Sequence, residues 1–105
     1  MNKELLLSLG AKHQKVYIES LDREINIKEV SYRGALEIAK CPNPIDRSVF
    51  TLIYTVCDDN GKLIFTTEDI DQIVDTFTFL QIQEIAYEVT KLYPIKTFDS
   101  NETVK

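Results

Sequence analysis

The sequence has few of the residues that build catalytic and metal-binding sites. Among its 105 residues are two cysteines, one histidine, three glycines and no tryptophan. Cys41 and Cys57 lie far apart and form no Cys-x-x-Cys pair, so the spacing that zinc sites use is missing. We interpret both as small buried hydrophobic side chains of a protein in a reducing cytosol.

The single histidine, His13, lies in the polar stretch Lys12-His13-Gln14-Lys15. A catalytic base needs a nucleophile and an orienting acid nearby, and no motif around either cysteine supplies the nucleophile. The sequence also lacks a glycine-rich phosphate loop and a nucleophile elbow. We therefore predict that His13 is an exposed surface residue and that the protein is not an enzyme, with no catalytic residue, cofactor or metal.

A surplus of positive charge and long hydrophobic runs are missing too. The formal net charge of −5 argues against binding to a nucleic acid backbone. The run Leu5-Leu6-Leu7, with Leu9 behind it, is too short for a signal peptide and has Glu4 beside it. No segment is long enough to span a membrane. With 44% apolar and 28% charged residues, the sequence is typical of one cytosolic globular domain.

In the first half of the sequence, the spacing of the apolar residues changes at Val30, from every second position to the spacing of a helix. Residues 15–19 and 24–28 alternate apolar and polar side chains, which predicts an antiparallel hairpin with a turn at 20–23. No glycine is present in that turn. Ser31 can cap a helix that runs to Lys40, in which Gly34 costs about 1 kcal/mol relative to alanine. A shorter helix is predicted from Asn2 to Leu9, with Gly10 as its terminator.

Residues 45–57 fit two structures. Strand-favouring residues from Val49 to Val56, followed by Asn60-Gly61 and the apolar residues 63–65, are consistent with a second hairpin. Apolar residues at i, i+4, i+7, i+8 and i+11 from Ile45 form one helix face, and Asn43-Pro44 is a favourable helix start. We favour the helix.

The segment from Cys57 to Ile70 is the most particular part of the sequence. A polar turn at Asn60-Gly61 is followed by Leu63-Ile64-Phe65, which we expect to anchor the turn in the core, and then by a helix cap at Thr66 or Thr67. A calcium loop is excluded, because Val56 and Thr67 stand where it needs carboxylates.

Two further helices are predicted after this turn. In the first, Ile70, Ile73, Val74 and Phe77 form the apolar stripe, with Glu68, Asp69, Asp71 and Asp75 facing away. The second begins at Thr78, with Gln81 completing a capping box, and runs to about Leu92. Its inner stripe consists of Ile82, Ile85, Ala86, Val89 and Leu92.

Three large side chains of this last helix, Phe79, Leu80 and Tyr87, lie off its inner stripe. A monomer of this size rarely exposes several large apolar side chains on one helix. Either the hairpin or the N-terminal helix covers them, or another chain does, and we interpret them as candidate partner-binding residues. The predicted fold is an α+β domain over residues 1–95, mostly helical with an N-terminal antiparallel β-hairpin, and a mobile polar tail over 96–105.

The order of these elements, and above all Asp59-Asn60-Gly61-Lys62-Leu63-Ile64-Phe65-Thr66-Thr67-Glu68-Asp69-Ile70, resembles the tail assembly chaperones of long-tailed siphophages, including the lactococcal type. The resemblance covers roughly Val16 to Leu92. It implies a non-enzymatic protein of the host cytoplasm that binds the tape measure protein and keeps it soluble. Major tail protein subunits displace it as they polymerise, so it is absent from the mature virion. The resemblance also implies self-association into rings or spirals.

An alternative from another class is a small acidic regulatory protein, such as an antitoxin or an inhibitor of a host enzyme. It would use the acidic face of residues 68–75 and the apolar side of the last helix to block one defined partner. Neither function involves nucleic acid or a membrane.

Overall fold

The computed structural model describes residues 1–10 and 12–94. The tail predicted over 96–105 lies outside the described residues. The elements in chain order are α1 (Lys3–Ser8), β1 (His13–Ile18), β2 (Arg23–Lys28), α2 (Tyr32–Ala39), α3 (Pro44–Thr55), β3 (Val56–Cys57), a 3₁₀ turn (Thr67–Asp69), α4 (Ile70–Thr76) and α5 (Phe79–Leu92). This confirms the predicted α+β class, mostly helical with an N-terminal antiparallel hairpin.

Strands β1 and β2 form the predicted hairpin, with Val16 opposite Ile25 and His13 opposite Lys28. The turn does not require glycine, because Asp22 adopts the left-handed conformation, with φ of 54°. Aspartate tolerates this region better than most residues. The Asp22 carboxylate also accepts a hydrogen bond of 2.6 Å from the Tyr17 hydroxyl, which holds the turn against β1.

The prediction for residues 45–57 is right for the helix and wrong for its end. Helix α3 stops at Thr55, and Val56–Cys57 forms the third strand of the sheet, paired with β2 through Ile27 and Asn26. Cys57 also bridges Leu63 on its other side. The helix ends early because the open edge of β2 offers backbone hydrogen bonds to Val56 and Cys57, and this pairing overrides their helical periodicity.

The core lies between the sheet, α3 and α5, and α4 adds one side chain to it. Helix α3 packs against both α5 and α2. The buried hydrophobic residues are Ile18, Ile27, Val49, Leu52, Ile53, Val56, Cys57, Ile73, Ile82, Ile85 and Val89.

The apolar residues after the polar turn are less buried than predicted. Leu63 and Phe65 are half-buried, but Ile64 is 53% exposed, so the expectation that all three anchor the turn is wrong for Ile64. The bridge of Leu63 to Cys57 extends the backbone there, and successive side chains of an extended chain point to opposite sides. Phe65 packs edge-on against Phe77, with ring centroids 6.4 Å apart.

Two more exposure predictions need correction. Val74 is 47% exposed, because the seven-residue helix α4 presents only Ile73 fully to the core, with Ile70 and Phe77 half-buried beside it. His13 is half-buried and not exposed, since it lies against the turn at Gly61. A Cβ atom on Gly61 would lie 3.0 Å from His13 Nδ1, and the φ of +83° at Gly61 itself favours glycine.

Truncating Phe65 and Ile64 in turn should distinguish the half-buried side chain of the turn segment from the exposed one. Phe65→Ala should lower the free energy of unfolding by about 2 kcal/mol, less than the 3–5 kcal/mol of a fully buried phenylalanine. Ile64→Ala, the matched control, should change it by at most about 0.5 kcal/mol. Urea unfolding of both variants measures the difference. Equal losses would contradict the burial pattern.

Gly34 explains how α2 comes close to α3. It is the buried residue of α2, and a Cβ atom there would lie 2.9 Å from Tyr54 Cβ and 2.7 Å from Val30 Cγ2. Its cost in helix propensity is therefore offset by a close approach that any side chain would prevent.

Gly34→Ala should consequently destabilise the domain despite the better helix propensity of alanine. We expect a net loss of up to about 2 kcal/mol, since overpacking costs about 1–3 kcal/mol and the propensity gain is about 1 kcal/mol. Ala35→Gly, at the exposed neighbouring position, serves as a control for propensity alone. An unchanged or higher melting temperature for Gly34→Ala would show that α2 can move away from α3 at no cost.

Candidate protein-binding site

Helix α5 carries the three candidate partner-binding residues on its outer side. Phe79 and Leu80 are each 65% exposed and Tyr87 is 61% exposed. Leu80 and Tyr87 lie seven positions apart and so share one face, while Phe79 lies in the first turn to one side. We call these three residues the α5 outer row. Neither the hairpin nor α1 covers them.

The inner side of α5 fixes the helix in the domain. Ile82, Ile85 and Val89 are buried in the core, as predicted. The predicted capping box is also present, with Gln81 N donating to Thr78 Oγ1 at 3.1 Å and Thr78 N donating to Gln81 Oε1 at 2.9 Å. A rigid, well-capped helix therefore presents the α5 outer row.

The flanks of α5 are polar and are engaged by other elements. On one flank the Glu84 carboxylate accepts the backbone N–H groups of Glu19 and Ser20, at 2.7 and 3.0 Å. On the other, the Ser48 hydroxyl of α3 lies 3.4 Å from Gln83 Oε1. Near the end of the helix, Lys91 Nζ lies 5.3 Å from the Tyr87 ring centroid, a cation–π distance.

A second apolar surface lies where α2, α3 and the end of α5 meet. It is an open groove of about 890 Å³, which we call the α2–α3–α5 groove. Its lining residues are Glu29, Val30, Ser31, Tyr32, Ala35, Ile38, Ala39, Thr51, Val89, Thr90, Leu92, Tyr93 and Pro94.

The sequence pattern predicts helix α2 but not this groove, because helical spacing does not say which elements meet. Gly34 is the buried residue of that helix, whereas Tyr32, Ala35 and Leu36 are exposed. The small residues Gly34 and Ala35 were the available signal, since small side chains allow helices to come close and leave shallow surfaces beside the contact.

The acidic turn at residues 58–62 has a structural role. The Asp58 carboxylate accepts the N–H groups of Asn60 and Lys62, at 2.8 and 3.0 Å, and these bonds lower the pKa of Asp58. The Asp59 carboxylate accepts Asn26 Nδ2 at 2.9 Å and Lys15 Nζ at 3.4 Å, and both lower the pKa of Asp59. The turn is thereby tied to the hairpin.

The other sequence candidates do not come together as a reactive site. Cys57 is buried, which raises the pKa of its thiol, and Cys41 is half-buried. Among residues 1–10 and 12–94, no group of three or more His, Cys, Asp or Glu side chains is placed to hold a metal ion. The helices in these ranges are also too short or too polar to cross a bilayer.

The structure aligns with the one described as "Structure of bacteriophage HK97 tail assembly chaperone", with a TM-score of 0.65. The alignment covers 87% of this chain and 98% of that chain. The two share a fold. Sequence identity over the alignment is 16%. No protein-family model and no curated protein sequence matches the chain.

The contact of Glu84 with the hairpin should give stability a defined pH dependence. Hydrogen bonding from Ser20 and from the backbone N–H of Glu19 lowers the pKa of Glu84 below its ordinary value of 4.5. Since the folded state binds the proton less readily, this contact stabilises the domain above pH 4.5 and is lost as pH falls through the lowered pKa.

Glu84→Gln removes this titration and nearly preserves the side-chain shape. The variant should be less stable than the wild type at neutral pH, and the difference in free energy of unfolding should shrink as pH falls below 4.5. Urea unfolding at a series of pH values measures it, with Glu88→Gln on the same helix as the control. A difference that stays constant with pH would contradict this role.

Proposed function

We propose that the protein is a non-enzymatic tail assembly chaperone of a long-tailed siphophage, of the lactococcal type. It acts in the host cytoplasm, binds the tape measure protein, keeps it soluble and is displaced as the tail tube polymerises. It is absent from the mature virion. The observation that carries the proposal is the fold shared with the HK97 tail assembly chaperone over nearly all of that chain.

The α5 outer row supports a binding role of this kind. Phe79, Leu80 and Tyr87 are exposed on a helix whose other side already supplies the core. An apolar row on a rigid helix suits the apolar face of an amphipathic helix in a partner. The contact is small, so each copy binds weakly, and many copies on one long helical partner supply avidity.

Weak contacts also suit the displacement step. Major tail protein subunits can remove copies one at a time, because each contact is released without an energy source such as ATP. We propose that copies of the chaperone also associate with one another along the tape measure protein. Since the α5 outer row is mainly apolar, binding should depend little on salt concentration.

Co-expression with the tape measure protein of the same phage tests the proposal. The wild-type chain should raise the soluble fraction of that protein, and Leu80→Ser/Tyr87→Ser should abolish the effect. Both side chains are exposed, so the double variant should keep its melting temperature. The readout is the tape measure protein in the soluble fraction, measured by quantitative immunoblot.

A control removes two other exposed apolar side chains that lie away from α5. Ile64→Ser/Val74→Ser changes residues that are 53% and 47% exposed, and it should leave solubilisation intact. If the folded α5 variant still solubilises the partner, the binding surface lies elsewhere. If the wild type has no effect on the tape measure protein, the chaperone function is wrong and the small regulatory binding protein takes its place.

A further inference from the structure

The polar turn at residues 58–62 brings together two residues that can react with each other, Asn60 and Gly61. Asn60 is exposed, and Gly61 directly follows it in the chain. The backbone nitrogen that follows an asparagine can attack the amide carbon of the asparagine side chain. A glycine nitrogen does so most readily, because no side chain shields it and the glycine backbone is the least restricted. This pair therefore has the chemistry of spontaneous deamidation.

The sequence places no second asparagine in this setting. Asn60 is the one asparagine that is followed by a glycine. Asn43 precedes a proline, whose nitrogen carries no hydrogen and cannot take part. Asn26 is buried in β2 and precedes a buried isoleucine, and the Asn2 side chain is held in the cap of α1. Asn60 therefore differs from the other asparagines that the structure describes, and Asn43 offers an internal control.

The reaction needs water as its only co-reactant. Hydroxide removes the proton from the Gly61 nitrogen, which bonds to Asn60 Cγ while the Cγ–Nδ2 bond breaks. The Nδ2 group takes a proton from water and leaves as ammonia, so that a cyclic imide remains and the hydroxide is restored. Water then opens the ring at one of the two carbonyl carbons bonded to the Gly61 nitrogen. Cleavage at Cγ gives aspartate, cleavage at the main-chain carbonyl carbon gives isoaspartate, and nothing is oxidised or reduced.

The folded turn engages the nitrogen that has to attack. The Gly61 N–H donates to the Asp58 carbonyl at 2.9 Å. The Asp58 carboxylate accepts the N–H groups on either side, those of Asn60 and Lys62, at 2.8 and 3.0 Å, and its negative charge opposes the loss of a proton beside it. Lys28 Nζ holds the Gly61 carbonyl at 2.9 Å. The turn must therefore open before the ring can form.

We propose that Asn60 deamidates spontaneously in this protein, that Asp58 limits the rate by holding the turn closed, and that the isoaspartate product loosens the turn. Isoaspartate adds one carbon to the main chain and one negative charge next to Asp59. The turn is closed by the Asp58 N–H, which donates to the Lys62 carbonyl at 2.8 Å, and the longer main chain no longer fits this closure together with the Lys28 contact. The proposal does not depend on the tape measure protein.

Peptide mapping by mass spectrometry, after incubation at mildly alkaline pH, measures the reaction in the whole chain. The product at Asn60 should form in the folded protein, and faster in guanidinium chloride, while Asn43 stays unmodified in both. Hydroxylamine, which cleaves the imide, should give the fragments 1–60 and 61–105. Equal rates with and without denaturant would show that the turn exerts no control. Absence of the product in the folded protein, or of the fragments, would also overturn the proposal.

Substitution of Asp58 tests its role directly. Asp58→Ala removes the carboxylate that accepts two N–H groups, so deamidation of the folded variant should be about tenfold faster. Asp58→Ser keeps one acceptor oxygen, should give a rate between the two, and carries the comparison if circular dichroism shows that Asp58→Ala is unfolded. Asp59→Ala, which removes an equal charge bonded to Asn26 and Lys15, is the control and should change the rate less. Folded Asp58 variants that react no faster than the wild type, or no faster than Asp59→Ala, would contradict the proposed control.

The effect of the modification is measured on the separated product. The deamidated chain has one more negative charge, so anion exchange isolates it from the unmodified chain. Its melting temperature should be lower, because the turn directly follows β3 and is bonded to the hairpin. Asn60→Asp, which has the same charge without the longer main chain, should lose less. Equal melting temperatures of the isoaspartate chain and of Asn60→Asp would show that the turn accommodates isoaspartate and would overturn that part of the proposal.

Discussion

The pairing of Val56–Cys57 with β2 determines where the helices of this domain lie. Because β3 follows α3 without a loop, the strand fixes the end of that helix against the sheet. Helix α3 in turn packs against α2 and α5, and its residues Leu52 and Ile53 are buried in the core. A change of register in two residues would therefore move both apolar surfaces described above.

The polar turn after β3 strengthens this arrangement from the outside. Asp59 accepts hydrogen bonds from Asn26 and Lys15, and Lys28 Nζ donates to the Gly61 carbonyl at 2.9 Å. These contacts join the turn to both strands of the hairpin. The segment that is most distinctive in sequence thus has an architectural role, and the apolar surfaces lie elsewhere, on α1, α2 and α5.

Helices and strands whose apolar residues recur at a regular spacing were predictable from the sequence. The changes that contacts with other elements make to their ends and exposure were not. The capping box at Thr78 and the inner stripe of α5 follow from local rules. The strand at Val56–Cys57 depends on an open edge of β2, and the exposure of Ile64 depends on the bridge at Leu63. Both are contacts between distant parts of the chain that no local pattern encodes.

The same distinction applies to the candidate site. The position of Leu80 and Tyr87 outside the α5 stripe follows from helical spacing alone. The groove does not, because it exists only where Gly34 brings α2 against Tyr54 and so leaves Ala35 and Ala39 beside the end of α5. The sequence predicts the helix itself, whereas the side of α2 that is covered depends on its contact with α3, where Gly34 is the buried residue.

The exposed apolar side chains of this domain form separate surfaces, the α5 outer row and the α2–α3–α5 groove. If copies were held together by the same row that binds the partner, each partner contact would compete with self-association. The lining of the α2–α3–α5 groove does not include Phe79, Leu80 or Tyr87, so a contact between copies at the groove would leave the α5 outer row free for the proposed partner. Under the proposed function, two separate contacts would add along a long partner, and the loss of one copy would then weaken the binding of its neighbours.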